Sequence, residues 1–401
     1  MPINRQIVWK LLEELVAIDS VNPTLAPATR HGGQAAGRLG ASGEQRASEH
    51  VRDFLRANGI AAELEEAAPG RPAAAGRPNV VATIGPANTK PALMIVAHID
   101  TVGAGDMREP FTPRVRDGKM YGRGALDIKS GVAAMCAAAA EIVREGAWLA
   151  RPVMIAGVVD EECNSIGTEA LLRRHTAEAA IVLEPTDLKL VVAHKGYSWF
   201  EIVTHGRAAH GSLPVEGRDA IRMMGRVLVA LDELETRLAS RAPHARLGSA
   251  SLHASLIEGG QELSSYPAEC RLQLERRMLP GETQQSAEAE LREMLAGLEK
   301  KDAEFRATLR GGLGARPTYE IREDSPLVQR AQKIVARVCG ECELSGMSAW
   351  TDTALLASAG IPGVVLGPTG RGLHGAEEYV ELDSVAQCAA ALRELILEFC
   401  A

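Results

Sequence analysis

Two histidines and a group of carboxylates occupy comparable places in this chain, each just after a short apolar run. His98 and Asp100 close LMIVAHID (93–100), and Glu161 and Glu162 complete a run of three acids after Val153 to Val159. Glu184 follows Ala179 to Leu183, and His374 lies in a glycine-rich stretch after Gly363 to Leu366. Asp127 adds a carboxylate in MYGRGALDIKSG, at the entrance of an alanine-rich segment, 130–143, that reads as a helix. Imidazole nitrogens with carboxylate oxygens suit zinc, cobalt or manganese better than a thiolate-seeking ion or a calcium cage. Two such cations, roughly 3.5 to 4 Å apart, would hold a hydroxide between them and polarise a scissile carbonyl, with Asp127 placed to bridge them. On a strand His98 and Asp100, two apart, point the same way, so Asp100 can orient the imidazole. Glu161 and Glu162, adjacent at a strand end, point apart, so Glu162 can ligate while Glu161 faces the cleft as general base. Taken singly, His98 is as well explained by a hydrogen-bonded strand-end histidine, and the acid pair by a solvated corner. Four strand ends carrying ligand-type residues together favour a site.

The elements that must position these groups follow from the same runs. A segment apolar at every position, rather than at alternate ones, is a strand covered on both faces, as in a parallel sheet between helices. In an open α/β sheet the ligand site lies outside the carboxyl ends of the strands, where these residues fall. Val8, Leu11, Leu12, Leu15 and Ile18 recur at helical spacing, which predicts an amphipathic helix over 5–18; a second covers 44–58 and stops at Gly59. Between them, residues 22–43 are rich in Pro, Gly, Ala and Thr without periodicity and read as a loop. After Glu184 the pattern changes to strand 196–204, helix 220–234, strands 251–258 and 268–276, helix 283–299 and strand 303–310. This βαββαβ order is the ferredoxin-like arrangement. The expected architecture is thus α/β, a mixed, mostly parallel sheet with helices on both faces, in two parts, 1–193 and 311–401, around an inserted α+β domain, 194–310.

The 401-residue chain has room for two domains, and 44 basic against 52 acidic residues give a net charge of −8, which argues against nucleic acid or an anionic membrane as partner. The longest run of small apolar residues, Val132 to Ala140, is far short of the roughly 20 residues a span needs, and the N-terminus lacks a signal pattern, so a cytoplasmic protein is expected. Seven cysteines are scattered and odd in number, which excludes a disulfide framework. Cys339 and Cys342 form a CxxC, but no second pair or nearby histidine completes a zinc site. GRGALDIKSG lacks the dinucleotide-binding spacing, and no G-x-S-x-G elbow is present.

The segments AHIDTV (97–102), DGKMYGRGALDIKSG (117–131), DEE (160–162), LEPT (183–186), AAHGSLP (208–214), RRMLPGE (276–282) and LHGAEE (373–378) together resemble the acetylornithine deacetylase, succinyl-diaminopimelate desuccinylase, aminoacylase and glutamate carboxypeptidase family of dizinc hydrolases. The resemblance covers nearly the whole chain. It implies a zinc-peptidase-like fold with an inserted dimerisation domain, and two divalent ions, zinc foremost and cobalt or manganese as alternatives. One ion would be bound by His98 and Glu184, the other by Glu162 and His374, with Asp127 bridging, Glu161 as base and Asp100 as orienting acid. It further implies that His210 stabilises the oxyanion, in this family from the partner subunit of a homodimer, and that Arg277 grips a substrate carboxylate, for which a planar guanidinium is suited. Ser264 stands where many relatives carry asparagine, and the loop 22–43 is longer than usual there. The implied activity is hydrolysis of an N-acyl amino acid; a dipeptidase or carboxypeptidase uses the same machinery, and a non-catalytic binding protein would keep the fold without the chemistry.

Overall fold

The computed structural model describes residues 3–25, 42–68, 76–87 and 89–401. Residues 26–41, most of the stretch the sequence marks as a loop, lie outside them. The chain divides into two units, Met1–Val192 with Ile321–Ser345 and Thr351–Ala401, and Ala193–Glu320 with Gly346–Trp350. The elements run α1 (Arg5–Val16), α2 (Gly43–Ala57), β1 (Ala62–Glu66), β2 (Pro78–Ile84), β3 (Leu93–His98), β4 (Arg114–Arg116), β5 (Lys119–Tyr121), α3 (Ser130–Arg144), β6 (Val153–Val158), α4 (Ile166–Arg174), β7 (Ala179–Leu183) and β8 (Leu190–His194). There follow β9 (Gly196–His205), α5 (Ala220–Ala239), β10 (Ser251–Gly259), β11 (Glu269–Met278), α6 (Gln284–Lys301), β12 (Ala307–Arg316) and β13 (Tyr319–Glu320). The chain closes with α7 (Pro326–Cys339), β14 (Leu344–Met347), α8 (Thr353–Ser358), β15 (Gly363–Leu366), β16 (Gly370–Arg371), β17 (Tyr379–Glu381) and α9 (Leu382–Cys400).

In the first unit β6, β3, β7 and β15 lie side by side and parallel, with β2 and β1 antiparallel on one flank and β8 antiparallel on the other. Every residue of β3, β6, β7 and β15 is buried, as expected of strands covered twice. Leu93, Ile95 and Ala97 of β3 join the large core built with α1, α2, α3, α7 and α9. Alternation turns Met94 and Val96 to the opposite face, where α4 and α8 lie against β6, β7 and β15. The small residues of α3 let it sit deep, with every residue from Ser130 to Ile142 buried. At Gly131 a Cβ would lie 2.8 Å from Ile128 Cγ1 and 3.0 Å from Leu183 Cβ, so glycine allows the helix to approach the strand that ends at Glu184. The carboxyl ends of the four parallel strands therefore share one edge, fed by the turns that follow them. Among the described residues no helix is long and apolar enough to cross a membrane.

The second unit is a four-stranded antiparallel sheet in the order β10, β11, β9, β12. One face, with Phe200, Ile202, Leu272 and Leu274, packs on Met224, Val227 and Leu231 of α5 and Leu291 and Met294 of α6, which is the ferredoxin-like arrangement. One strand differs from its expected span of 303–310. Residues 302–305 instead form a turn, in which Phe305 N donates to the Asp302 carbonyl (3.0 Å) and Glu304 N to Asp302 Oδ1 (2.9 Å). β12 starts later and runs on past Gly311 and Gly312 through a register shift between Arg310 and Gly314.

Candidate active site

His98 ends β3, Glu184 follows β7, Glu162 lies in the turn after β6, and His374 lies between β16 and β17. Asp127 comes from an irregular turn, Ala125–Lys129, that leads into α3. These five side chains meet as two triads, His98–Asp127–Glu184 and Asp127–Glu162–His374, each with ligand atoms within 4.8 Å of one another. His98 Nε2 is 3.2 Å from Asp127 Oδ1 and 3.8 Å from Glu184 Oε2; His374 Nε2 is 3.3 Å from Asp127 Oδ2 and 3.5 Å from Glu162 Oε2. Asp127 thus offers one oxygen to each triad. Borderline and hard donors at this spacing fit two divalent cations, and Glu162 Oε1, buried without a hydrogen-bond partner, is a further donor atom left over for an ion.

The acids are set by a turn rather than by strand alternation. β6 ends at Val158, and Asp160 takes a left-handed conformation (φ 68°) whose carbonyl accepts the N–H groups of Cys163, Asn164 and Ser165. The backbone N–H groups of Glu161 and Glu162 donate to Asp100 Oδ1 (3.1 Å) and Oδ2 (3.2 Å). The Asp100 carboxylate therefore holds the turn that carries the two acids. The ring nitrogen His98 Nδ1 is 2.9 Å from the Asp100 carbonyl oxygen and 3.6 Å from its carboxylate, which is occupied by the two acidic residues' amides.

A buried carboxylate that the sequence reading misses holds Asp127. Glu378 accepts the N–H groups of Leu126 (2.9 Å) and Asp127 (3.1 Å) on Oε1, and those of Gly124 (3.1 Å) and Arg123 Nη1 (2.6 Å) on Oε2. Its only sequence signal is the second acid of LHGAEE, which reads as a surface residue until the fold buries it.

The electrostatics of the cluster favour positive charge. Burial, reinforced by the Glu184 carboxylate, pushes the Glu161 carboxyl well above its ordinary range; burial does the same to Glu184 against the pull of His98. Hydrogen bonds to Asp127 and Glu162 raise His374 to about 10. Although burial opposes it, the surrounding Glu184, Asp100 and Asp127 hold His98 well above the usual histidine value. Buried carboxylates whose protons are held tightly, beside histidines that favour their charged form, make a cluster in which bound divalent cations would be stabilised.

His210 and Arg277 belong to the second unit. His210 Nδ1 lies 2.8 Å from Ser212 Oγ and 3.2 Å from the Ser212 backbone N–H, on an exposed loop. Gly211 N donates to the Ser264 carbonyl (2.7 Å), which brings Ser264 beside this loop. Arg276 is buried and bonded to Glu282 and Glu290, a packing role. Arg277 is half-buried, with Nε on Glu275 (2.6 Å) and its guanidinium 5.3 Å from the centre of the Tyr197 ring; among the described residues its two terminal nitrogens have no hydrogen-bond partner.

Comparison with known proteins places this geometry in a family. A model described as peptidase family M20/M25/M40 matches residues 94–398. The chain belongs to this family. Among curated relatives of this M20/M25/M40 member, acetylornithine deacetylase of Buchnera aphidicola is 28% identical over 332 residues, 80% of this chain and 84% of the relative. The N-formyl-4-amino-5-aminomethyl-2-methylpyrimidine deformylase of Bacillus subtilis is 26% identical over 356 residues, 81% and 84% of the two chains. The solved structure of a tripeptidase from Staphylococcus aureus, 22% identical, superposes with a TM-score of 0.77 over 100% of this chain and 99% of that one, a likeness of fold. The M20/M25/M40 protein is accordingly a metal-dependent hydrolase of amide or peptide bonds, of the dinuclear type.

Proposed function

We propose that the protein hydrolyses the amide bond of an N-acyl amino acid, releasing a carboxylate and a free amine. The observation that carries this reading is Asp127, whose two oxygens face separate triads completed by His98 with Glu184 and by Glu162 with His374. When bound there, two divalent ions, zinc foremost with cobalt or manganese able to replace it, supply Lewis-acid activation of water and of the scissile carbonyl. Glu161, whose carboxylate has no hydrogen-bond partner among the described residues, takes the proton of the attacking water and returns it to the leaving nitrogen as the C–N bond breaks. Asp100 holds that acid's backbone. His210 donates its Nε2–H to the oxyanion, and the open end of the Arg277 guanidinium pairs with the substrate carboxylate. The deacylase reading is supported by the names of the two curated relatives, both of which remove an acyl group. A homodimer formed through the ferredoxin-like unit, acting in the cytoplasm, completes the proposal.

Glu161→Gln should retain two metal ions and lose turnover by at least a thousandfold; wild-type rates would remove Glu161 as base. Hydrolysis of N-acetyl, N-formyl, N-succinyl and N-carbamoyl amino acids beside simple dipeptides identifies the substrate, and preference for the dipeptides would overturn the deacylase reading. His210→Ala should lower kcat more than it alters KM, since its contact forms in the transition state; a change confined to KM would argue against it. A monomer mass by sedimentation for the fully active enzyme would exclude the dimer.

A further inference from the structure

Behind the tandem acids lies a buried polar network with no part in the reaction steps. Asn22 Nδ2 donates to Asp100 Oδ2 (2.8 Å) and Asp160 Oδ1 (2.9 Å), tying together the carboxylates on either side of the turn. Arg77 Nη2 donates to the same Asp160 oxygen (2.7 Å) and to Glu44 Oε1 (2.8 Å), while its Nε donates to Glu44 Oε2 (2.5 Å). Glu44 Oε1 also accepts the backbone N–H of Asp160 (3.1 Å). All five residues are buried, and they come from five separate stretches of the chain.

The connectivity gives the network a direction. Glu44 and Arg77 grip Asp160 by its backbone and its side chain, the left-handed Asp160 turns the chain, and the next two N–H groups land on Asp100, which Asn22 ties back to Asp160. The departure of Glu161 and Glu162 from the turn is fixed at both ends. Among the described residues no bond of the network reaches Glu184, and its contact with the other triad is through Asp100, whose carbonyl lies 2.9 Å and carboxylate 3.6 Å from His98 Nδ1.

We propose that Glu44, Arg77 and Asn22 are positioning residues for hydrolysis, acting through Asp160 and Asp100 on the placement of Glu161 and Glu162. This rests on the reading of Glu161 as base and Glu162 as ligand. The role belongs to the shape of the guanidinium and not to its charge alone: one planar fork spans two carboxylates, which a lysine ammonium cannot reproduce. A displacement of the base of about 1 Å costs roughly a hundredfold in rate, so a partial displacement shows as a tenfold loss.

The test compares Arg77→Lys and Asn22→Ala with wild type in the full-length, metal-loaded enzyme, and titrates the metal-free proteins with cobalt in a chelator buffer. Both variants should lose at least tenfold in kcat, with KM changed less than threefold. Cobalt should bind about tenfold more weakly at one of its two sites, the one that needs Glu162, while the other keeps its affinity. If Arg77→Lys does not fold, Asn22→Ala, which removes no charge, decides alone. Turnover within twofold of wild type with two unchanged affinities would overturn the proposal. So would equal weakening of both sites together with a lowered melting temperature, which is general loosening. Glu161→Gln separates the two hypotheses: if it is inactive while the network variants are normal, the positioning role fails and the base stands; if it is active, the reading of the base is what failed.

Discussion

The clamp on Asp127 can be measured. In Glu378→Gln the side-chain shape is kept, but one of its two oxygens becomes an NH2 group. Whichever way the amide turns, that NH2 meets two donors, either the Arg123 guanidinium with Gly124 N, or the N–H groups of Leu126 and Asp127. Two of four bonds to a charged acceptor are lost, at about 1.5–3 kcal/mol each. The buried Arg123 also loses its counter-charge, and breaking a buried pair from one side costs about 3–5 kcal/mol. These describe the same loss twice, so the expected destabilisation of the metal-free protein is about 3–5 kcal/mol, a large part of the roughly 5–15 kcal/mol that holds a domain folded. Urea unfolding at pH 8 provides the measurement, since burial raises the Glu378 carboxyl and an alkaline buffer favours its ionised form. Because Asp127 serves both triads, both cobalt affinities should fall, unlike the one-sided loss expected from the Asn22 and Arg77 variants. Adding Arg123→Met removes the stranded cation, and the double variant should recover part of the loss, a coupling of about 2 kcal/mol or more. An unfolding free energy within about 1 kcal/mol of wild type, with both ions bound as tightly, would refute the clamp.

Two further expectations concern pH. In the metal-free protein His374 keeps its proton up to about pH 10, so metal uptake near neutrality must expel it, and apparent affinity should rise with pH by up to about tenfold per unit per proton released. By the same sign its protonated form supports the metal-free fold fully below the unfolded value near 6.5 and loses that contribution as pH climbs through about 10; a pH-independent cobalt affinity between pH 6 and 8 would contradict the assignment. In the second unit burial holds His194 down to about 4, with Nδ1 on the Lys195 carbonyl (2.9 Å). Between about 6.5 and 4 the unfolded chain takes up a proton the fold refuses, so stability should drop by about 3 kcal/mol as pH falls through that window, and His194→Phe should flatten it in acid unfolding.

The central strands are legible because burial on both faces leaves a mark at every position, and LMIVAH is found as β3 with His98 at its end. β11 is legible for the complementary reason, that Cys270, Leu272 and Leu274 alternate on a strand with one face on helices. What is not legible depends on partners distant in sequence. Glu44, Arg77 and Asn22 look like ordinary polar residues near helix ends and loops until pairing brings them to Asp100 and Asp160. Strand alternation is expected to set Glu161 and Glu162, but they lie in a turn that follows a left-handed residue, Asp160, which nothing in the trio of acids announces. α9, buried at Val385, Cys388, Leu392 and Ile396 and on much of its remaining surface, lacks the polar face that would give it a clear helical period.

β7 and β8 are consecutive in sequence, yet β15 pairs with both of them. As the chain emerges during synthesis, the gap it fills stays open until the strand Gly363–Leu366 arrives, after the whole second unit has been made. All four strands of the second unit's sheet lie between Gly196 and Arg316 and pair only with one another, so that sheet can form while the first waits; the first cannot close early. Two bare strand edges exposed for that interval invite pairing with other chains, so the step most sensitive to crowding, temperature or chaperone supply is the late insertion of this one short strand. His374 follows it within a few residues, so the same event that seals the sheet delivers the last of the five donors.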